Sequence, residues 1–352
     1  MVPFTIATGT MHFAQNIFIR IHTSAGIVGV GECSAFPMIV GETQNTCYEM
    51  SKDFALLWKG KNPLALEDRI SELHAFTAGN YTAKSAFDLA LYDIAAKAAN
   101  QPLYAFLGGT KKTIESDLTI GIGSPQKMAE QAVEFVAKGV HIIKVKLGKN
   151  PVDDIERIKQ IRAAIGTNIK LRIDANQGWT FEEAKHALTE LGKYEISFCE
   201  QPMRTHEDYR LPELCNISPI PIMADESVYT HHDAEQLIRT NACAYINIKF
   251  AKSGGIHEAT KINQVAAANN IPCMMGGMLE SRLALTAKVH FAMACDNIIF
   301  YDLDTCLLGH KADPVLGGVT YSNGMHLELS DEPGIGADVD DAFLETLEQI
   351  TI

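Results

Sequence analysis

Between residues 116 and 304 the chain repeats one unit eight times: a short apolar run, then a longer amphipathic stretch. The runs read SDLTIGI, HIIKVKL, IKLRIDA, EISFCEQ, PIPIMADE, CAYINIKF, IPCMMGG and NIIFYDLD. Runs of this length and content are strands, and intervening stretches such as Ser124–Lys138 and Pro151–Ile165 have helical periodicity. Strictly alternating strands and helices make parallel pairs, and eight such units form a (β/α)8 TIM barrel. Barrel strands are covered on both faces, which explains why GVHIIKV is apolar almost throughout.

A barrel constrains where charge can go. In HIIKVKLGKN, Ile143, Val145 and Leu147 alternate on one strand face, so Lys144 and Lys146 share the other. On a covered strand that second face points into the barrel. Charged residues recur near the C-terminal ends of the later runs. From Lys146 the steps to Asp174, Glu200, Asp225 and Lys249 are 28, 26, 25 and 24 residues, and Asp302 follows 53 residues on. Each step is one strand-plus-helix unit, or two for the last, so all these groups project toward one mouth, where barrel active sites lie. An acid at a strand end can instead cap the next helix. Three successive acids flanked by lysines are poorly explained as independent caps.

Asp174, Glu200 and Asp225 converge as three hard oxygen donors, which repel one another unless a cation lies between them; oxygen-only ligation favours Mg²⁺. Lys144 and Lys146 on the second strand face Lys249 on the sixth, across the barrel. A lysine near a dication and a second ammonium loses its proton more readily and becomes a candidate general base. Lys144 is expected to lower the pKa of Lys146 and to contact substrate, with Lys146 moving protons.

The flanks differ in texture. Residues 1–110 carry a hairpin signal, NIFIRIHT and GIVGVGEC around the SAG turn. Helical stretches follow at Thr43–Trp58, Pro63–Ala78 and TAKSAFDLALYDIAAKAANQ, and LGGT marks a boundary. The barrel is expected over 111–312. Residues 313–352 are turn-rich with one short strand, and are expected to fold back onto the N-terminal domain.

Thirty basic against 43 acidic residues give a net charge of −13, which argues against nucleic acid and anionic membranes as partners. No apolar run is long enough to span a bilayer, and MVPFTIATGT lacks the pattern of a signal peptide. The eight cysteines form no CxxC pair and read as small core residues in a reducing, cytoplasmic setting. His231 and His232 read as a solvent-facing helix start.

Together KVK, RIDANQGW, EQP, ADES and INIKFAKSGG resemble the muconate-lactonizing subgroup of the enolase superfamily, over nearly the whole chain. The resemblance implies an α+β capping domain built from the N-terminal region and the C-terminal segment. It implies one Mg²⁺ per subunit on Asp174, Glu200 and Asp225, with Lys146 and Lys249 facing opposite sides of a substrate α-carbon. A homo-oligomer is expected. Relatives carry a further strand ahead of the position matching Pro3-Phe4.

Within that subgroup, Asp302-x-Asp304 on the eighth strand resembles the mark of dipeptide epimerases, where such a pair holds the substrate's terminal ammonium. Thr119, Gly277, Met278 and Leu279 match substrate-lining positions; Glu280 follows without an assigned role. In relatives selective for a C-terminal glutamate an arginine follows the Pro-Phe pair; the matching position here is Gly9, and AFPMIVG is apolar. The resemblance therefore implies a dipeptide partner with an uncharged small or hydrophobic second residue, of Ala-Ala or Ala-Val type. Other readings are an L-Ala-D/L-Glu epimerase, succinylbenzoate synthase or N-acyl amino acid racemase on the same scaffold, and a catalytically silent ligand-binding barrel.

Overall fold

The computed structural model describes all 352 residues. The N-terminal domain opens with a small hairpin, β1 (Phe4–Ile6) and β2 (Gly9–Met11), then a longer one, β3 (Asn16–His22) and β4 (Val28–Ser34). Helices α1 (Pro37–Val40), α2 (Gln44–Trp58), α3 (Leu66–Phe76), α4 (Tyr81–Ala98) and α5 (Leu103–Phe106) complete it. The third helix starts at Leu66, not Pro63, because the Asn62 side chain accepts the Leu64 N–H at 3.0 Å and holds that turn out of the helix. A two-residue strand, β5 (Ile114–Glu115), leads into the barrel.

The eight apolar runs are eight parallel strands in sequence order. They are β6 (Leu118–Ile120), β7 (Ile142–Lys146), β8 (Lys170–Asp174), β9 (Ile196–Glu200), β10 (Ile222–Ala224), β11 (Tyr245–Ile248), β12 (Cys273–Gly276) and β13 (Ile298–Asp302). Between them lie α6 (Pro125–Ala137), α7 (Pro151–Ile165), α8 (Phe181–Leu191), α9 (Leu211–Ile217), α10 (His231–Arg239), α11 (Phe250–Ser253), α12 (Ile256–Ala268) and α13 (Arg282–Ala294). The seam between β13 and β6 has no regular ladder. It is joined by Asp117 N–H to Tyr301 O at 3.2 Å, Leu303 N–H to Ser116 Oγ at 2.8 Å, and Thr119 N–H to the Asp304 carboxylate at 2.6 Å. On β7, Ile143 and Val145 join the large core between strands and helices, while Lys144 and Lys146 point inward. A separate cluster of Phe198, Met223 and Met274, edged by Tyr245 and Phe300, packs inside the barrel, and the Arg172 guanidinium lies 5.2 Å from the Phe300 ring centroid.

The C-terminal segment holds more structure than the one strand expected: β14 (Val315–Gly317), β15 (Thr320–Ser322), β16 (His326–Glu328), β17 (Ala337–Val339) and helix α14 (Asp341–Leu344). Each strand is three residues long. The β14–β17 and β16–β5 pairs join residues distant in sequence, so local periodicity carries no trace of them. The segment returns to the N-terminal domain through Arg20, which bonds Asp338, Asp341 and the Val339 carbonyl, and through Asp93, which accepts the Ile335 N–H. All eight cysteines are free, and no helix is long and apolar enough to cross a membrane.

His290 on α13 pins this segment to the barrel. Its Nδ1 accepts the Tyr104 N–H at 3.0 Å and its Nε2 lies 3.1 Å from the Ile335 carbonyl, so the bonded form is the neutral ring. Burial pushes its pKa down to about 4, against the bond to Ile335. The unfolded chain takes up a proton below about pH 6.5 that the folded chain refuses, so stability falls as pH drops from 6.5 toward 4. Urea unfolding of wild type and His290→Phe should therefore converge, the gap shrinking by about 2 kcal/mol between pH 7.5 and 5. A constant gap would contradict this account.

Candidate active site

At the C-terminal ends of the strands, lysines and carboxylates interlock. Lys144 Nζ lies 2.6 Å from Glu200 Oε2, 2.7 Å from Asp302 Oδ2 and 3.1 Å from Asp174 Oδ2. Lys146 Nζ is 2.6 Å from Asp174 Oδ2. Opposite, Lys249 Nζ is 2.7 Å from Asp225 Oδ2 and 3.8 Å from Glu200 Oε1. Lys252 holds the other Asp225 oxygen at 2.6 Å and also meets the Asp225 and Asn247 carbonyls. The carboxylates are oriented from behind. Asn247 donates to Glu200 Oε1 at 2.6 Å, and the backbone N–H of Asn176 donates to Asp174 Oδ1 at 2.8 Å. Asn176, Gln177 and Gln201 adopt positive φ of 41°, 64° and 30°, so backbone strain concentrates where the chain leaves β8 and β9.

The titrations follow from this packing. Burial opposes charge on Asp174 and Asp225, yet their lysine partners hold both below the ordinary aspartate value. Glu200, buried between those two acids, is pushed well above. Burial disfavours charge on Lys144, but Asp302, Glu200 and Asp174 hold it well above a normal ammonium, and Asp225 and Glu200 likewise raise Lys249. Carboxylate attraction outweighs ammonium–ammonium repulsion.

A cavity of about 50 Å³ opens above this network. Its polar wall is Thr119, Lys146, Asn176, Lys249, Asp302 and Thr305. The N-terminal domain adds Phe4, Ile6, Met11, Phe36 and Ile39; Gly277, Met278, Leu279 and Leu308 complete the lining. Lys144 and Asp304 are not at the surface of this cavity. Lys144 is fully buried beneath it. Asp304 lies past the end of β13, where alternation no longer applies, and accepts the Thr119 N–H. Gly9 does not line the cavity; it sits in the β1–β2 hairpin, where an added Cβ would meet the Met38 side chain. A larger open groove of about 770 Å³ runs beside α6, but its only charged lining residues are Lys127 and Lys138, and the converging acids do not reach it.

Residues that sequence reading did not single out are Asn176, Asn247, Lys252, Glu226 and Asp117. Asn247 on β11 stands two positions before Lys249, and Asp117 two before Thr119 on β6; a polar residue two positions from a candidate is the signal that marks them. Asp117, Asp302 and Asp304 are the one acid trio whose oxygens lie within 4.8 Å of one another. Arg172 pairs with Asp117 at 2.7 Å and Lys144 with Asp302, so cationic side chains already balance part of that charge.

Asp174, Glu200 and Asp225 are fully buried and offer oxygen only; Glu200 Oε2 and Asp225 Oδ1 face ammonium groups without a directed hydrogen bond. The three are not drawn within 4.8 Å of one another, the Lys144 and Lys249 ammoniums lying among them, but the oxygen-only donor set itself fits Mg²⁺.

Residues 1–108 match the mandelate racemase / muconate lactonizing enzyme N-terminal domain, and residues 127–343 the enolase C-terminal domain-like family. The chain belongs to this family of two-domain barrel proteins. It is 44% identical over 351 residues to a D-Ala-D/L-Ala epimerase of Cytophaga hutchinsonii, covering 99% of this chain and 95% of the relative. The crystal structure of a dipeptide epimerase from that organism, complexed with Mg and D-Ala-L-Val, superposes with a TM-score of 0.97 over 99% of this chain and 95% of that one. A hydrophobic dipeptide epimerase of Enterococcus faecalis is 40% identical, covering 95% of this chain and 94% of the relative. An L-Ala-D/L-Glu epimerase of Bacillus subtilis is 38% identical, covering 95% and 92%.

Mg²⁺ at about one hundred times its Kd should stabilise the metal-free protein by about 2.7 kcal/mol, read as a rise in Tm by calorimetry. Glu200→Gln should lose most of that rise. An equal rise in the variant would place the ion elsewhere.

Proposed function

We propose that this protein is a Mg²⁺-dependent dipeptide epimerase that inverts the α-carbon of the dipeptide's second residue. The observation that carries the reading is the pair Lys146 and Lys249. They come from the second and sixth of eight strands, each contacts its own carboxylate, and both reach one small cavity. A proton α to a carboxylate is weakly acidic, and two bases on opposite faces allow it to leave one side and return on the other. The lysine that begins unprotonated removes the proton; the other, as an ammonium, delivers one to the opposite face. Asp174 and Asp225 stabilise whichever ammonium results. Bound by Asp174, Glu200 and Asp225, Mg²⁺ would supply positive charge for the substrate's carboxylate oxygens. Asp302, the acid at the cavity wall, suits the substrate's ammonium; Asp304 accepts the backbone N–H of Thr119, another residue of that wall. The D-Ala-D/L-Ala and hydrophobic dipeptide relatives support the same reading.

Lys146→Ala and Lys249→Ala should each abolish epimerisation. One should still exchange the α-proton of one epimer with ²H₂O, and the other that of the opposite epimer. Near-normal epimerisation by either variant would sink the two-base mechanism.

The second residue's side chain is read as uncharged. Phe36 and Ile39 line the cavity, and its only cations are the two lysines. Arg282, which follows Gly277–Leu279 closely in sequence, turns away to Asp313 and the carbonyls of Val315, Gly317 and Val319. A glutamate side chain would be buried without a partner, at a penalty of several kcal/mol in the extreme. Ala-Val should outpace Ala-Glu by at least about tenfold in kcat/KM, only about 1.4 kcal/mol. Competition between the two dipeptides in ²H₂O, followed by mass, measures this; a preference for Ala-Glu would refute the apolar-wall argument.

A further inference from the structure

The loop Gly277–Leu279 forms one wall of the cavity; one buried carboxylate holds it directly and a second holds the start of α13 that follows it. Glu280 Oε2 accepts the Met278 N–H at 3.2 Å and pairs with the Lys288 ammonium, both side chains being almost wholly buried. The second carboxylate, Glu32, belongs to the other domain. Its Oε1 accepts the Ser281 N–H and the Asn16 side-chain amide, each at 2.8 Å. Its Oε2 accepts the Ser281 hydroxyl at 2.6 Å and the Ala284 N–H at 3.0 Å. Glu32 thus satisfies the start of α13 from a position 249 residues away in sequence.

The support behind Glu32 is rigid. An added Cβ at Gly29 or Gly31 would lie 2.3 Å from the Ala90 carbonyl oxygen or 1.9 Å from that of Ala86, so β4 lies directly on the α4 backbone. A buried ion pair such as Glu280–Lys288 is weak evidence for stability, since well-packed apolar side chains often do as well. Its placement beside the cavity wall points to a different task. Resting on the reading of this cavity as the substrate site, we propose that Glu32 and the Glu280–Lys288 pair are positioning residues that set the path of Gly277–Leu279 from the capping domain, and so tune which dipeptide side chain is accepted.

The test uses the full-length Mg²⁺-loaded protein and two variants, Glu32→Gln and the double variant Glu280→Gln/Lys288→Met. The double variant removes both buried charges together and leaves neither unpaired. Amide exchange by mass spectrometry over residues 277–285 should quicken by at least about tenfold in Glu32→Gln, with peptides from β9 to β11 unchanged. With Ala-Ala and Ala-Val as substrates, KM should rise by more than kcat falls, and the ratio of their kcat/KM values should shift at least about threefold. A purely structural role lowers Tm and scales both substrates alike; that outcome, or wild-type exchange over 277–285, overturns the proposal. If Glu32→Gln does not fold, the double variant decides by the same two readouts. If the wild type turns over neither dipeptide, the functional reading fails while the exchange measurement still decides whether the brace exists.

Discussion

Burying charge is the constraint around which the barrel mouth is arranged. Lys144, Lys146, Lys249 and Lys252 meet Asp174, Glu200, Asp225 and Asp302, and the two sets balance in number. Isolated ions at this depth would be driven neutral or solvated. Asp174, Asp225 and Asp302 are held ionised and Lys144 and Lys249 protonated by these partners, while Glu200, between two acids, is pushed the other way; the pairs also tie the strands to one another. The same balance gives the site its chemical reach. Lysines held beside carboxylates can exchange protons with a substrate while the local charge changes little.

The two domains are joined by the same kind of interaction. Capping-domain carboxylates end on barrel helices: Glu32 on the start of α13, and Asp88 on α12 through the Ile256 and His257 N–H groups. Gly255 immediately precedes that second contact with a φ of 120°, and an added Cβ there would lie 2.3 Å from the Asp88 carboxyl. Helix α4 carries Asp88 and backs the strand that carries Glu32. One rigid helix therefore locates the apolar half of the cavity relative to the charged half.

The eight strands were legible because each side of the barrel imposes its own residue type. Helix-facing positions are apolar, and the inner positions at the strand ends are charged, so a period of two within strands and of about 25 residues between them are both visible. Most of the C-terminal strands were not, because they are short, lie outside the repeating unit, and β14–β17 and β16–β5 are paired across long stretches of chain. Asp304 does stand beside Asp302, their oxygens within 4.8 Å, but β13 ends at Asp302, and Asp304 accepts the Thr119 N–H and does not line the cavity, which alternation alone could not show.

The sequence by itself determined the barrel, the convergence of Lys146, Asp174, Glu200, Asp225, Lys249 and Asp302 on one end of it, and the oxygen-only character of the acids. These are consequences of spacing and residue type, which are local. Only the tertiary structure decided which of those groups reach the cavity and which lie beneath it. Lys144 and Lys146 are two residues apart on one strand face, yet one is sealed under carboxylates from β8, β9 and β13 while the other lines the opening. Depth is set by neighbouring strands and by the domain closing over them. A single strand's periodicity gives the direction of a side chain but carries no record of what packs above it.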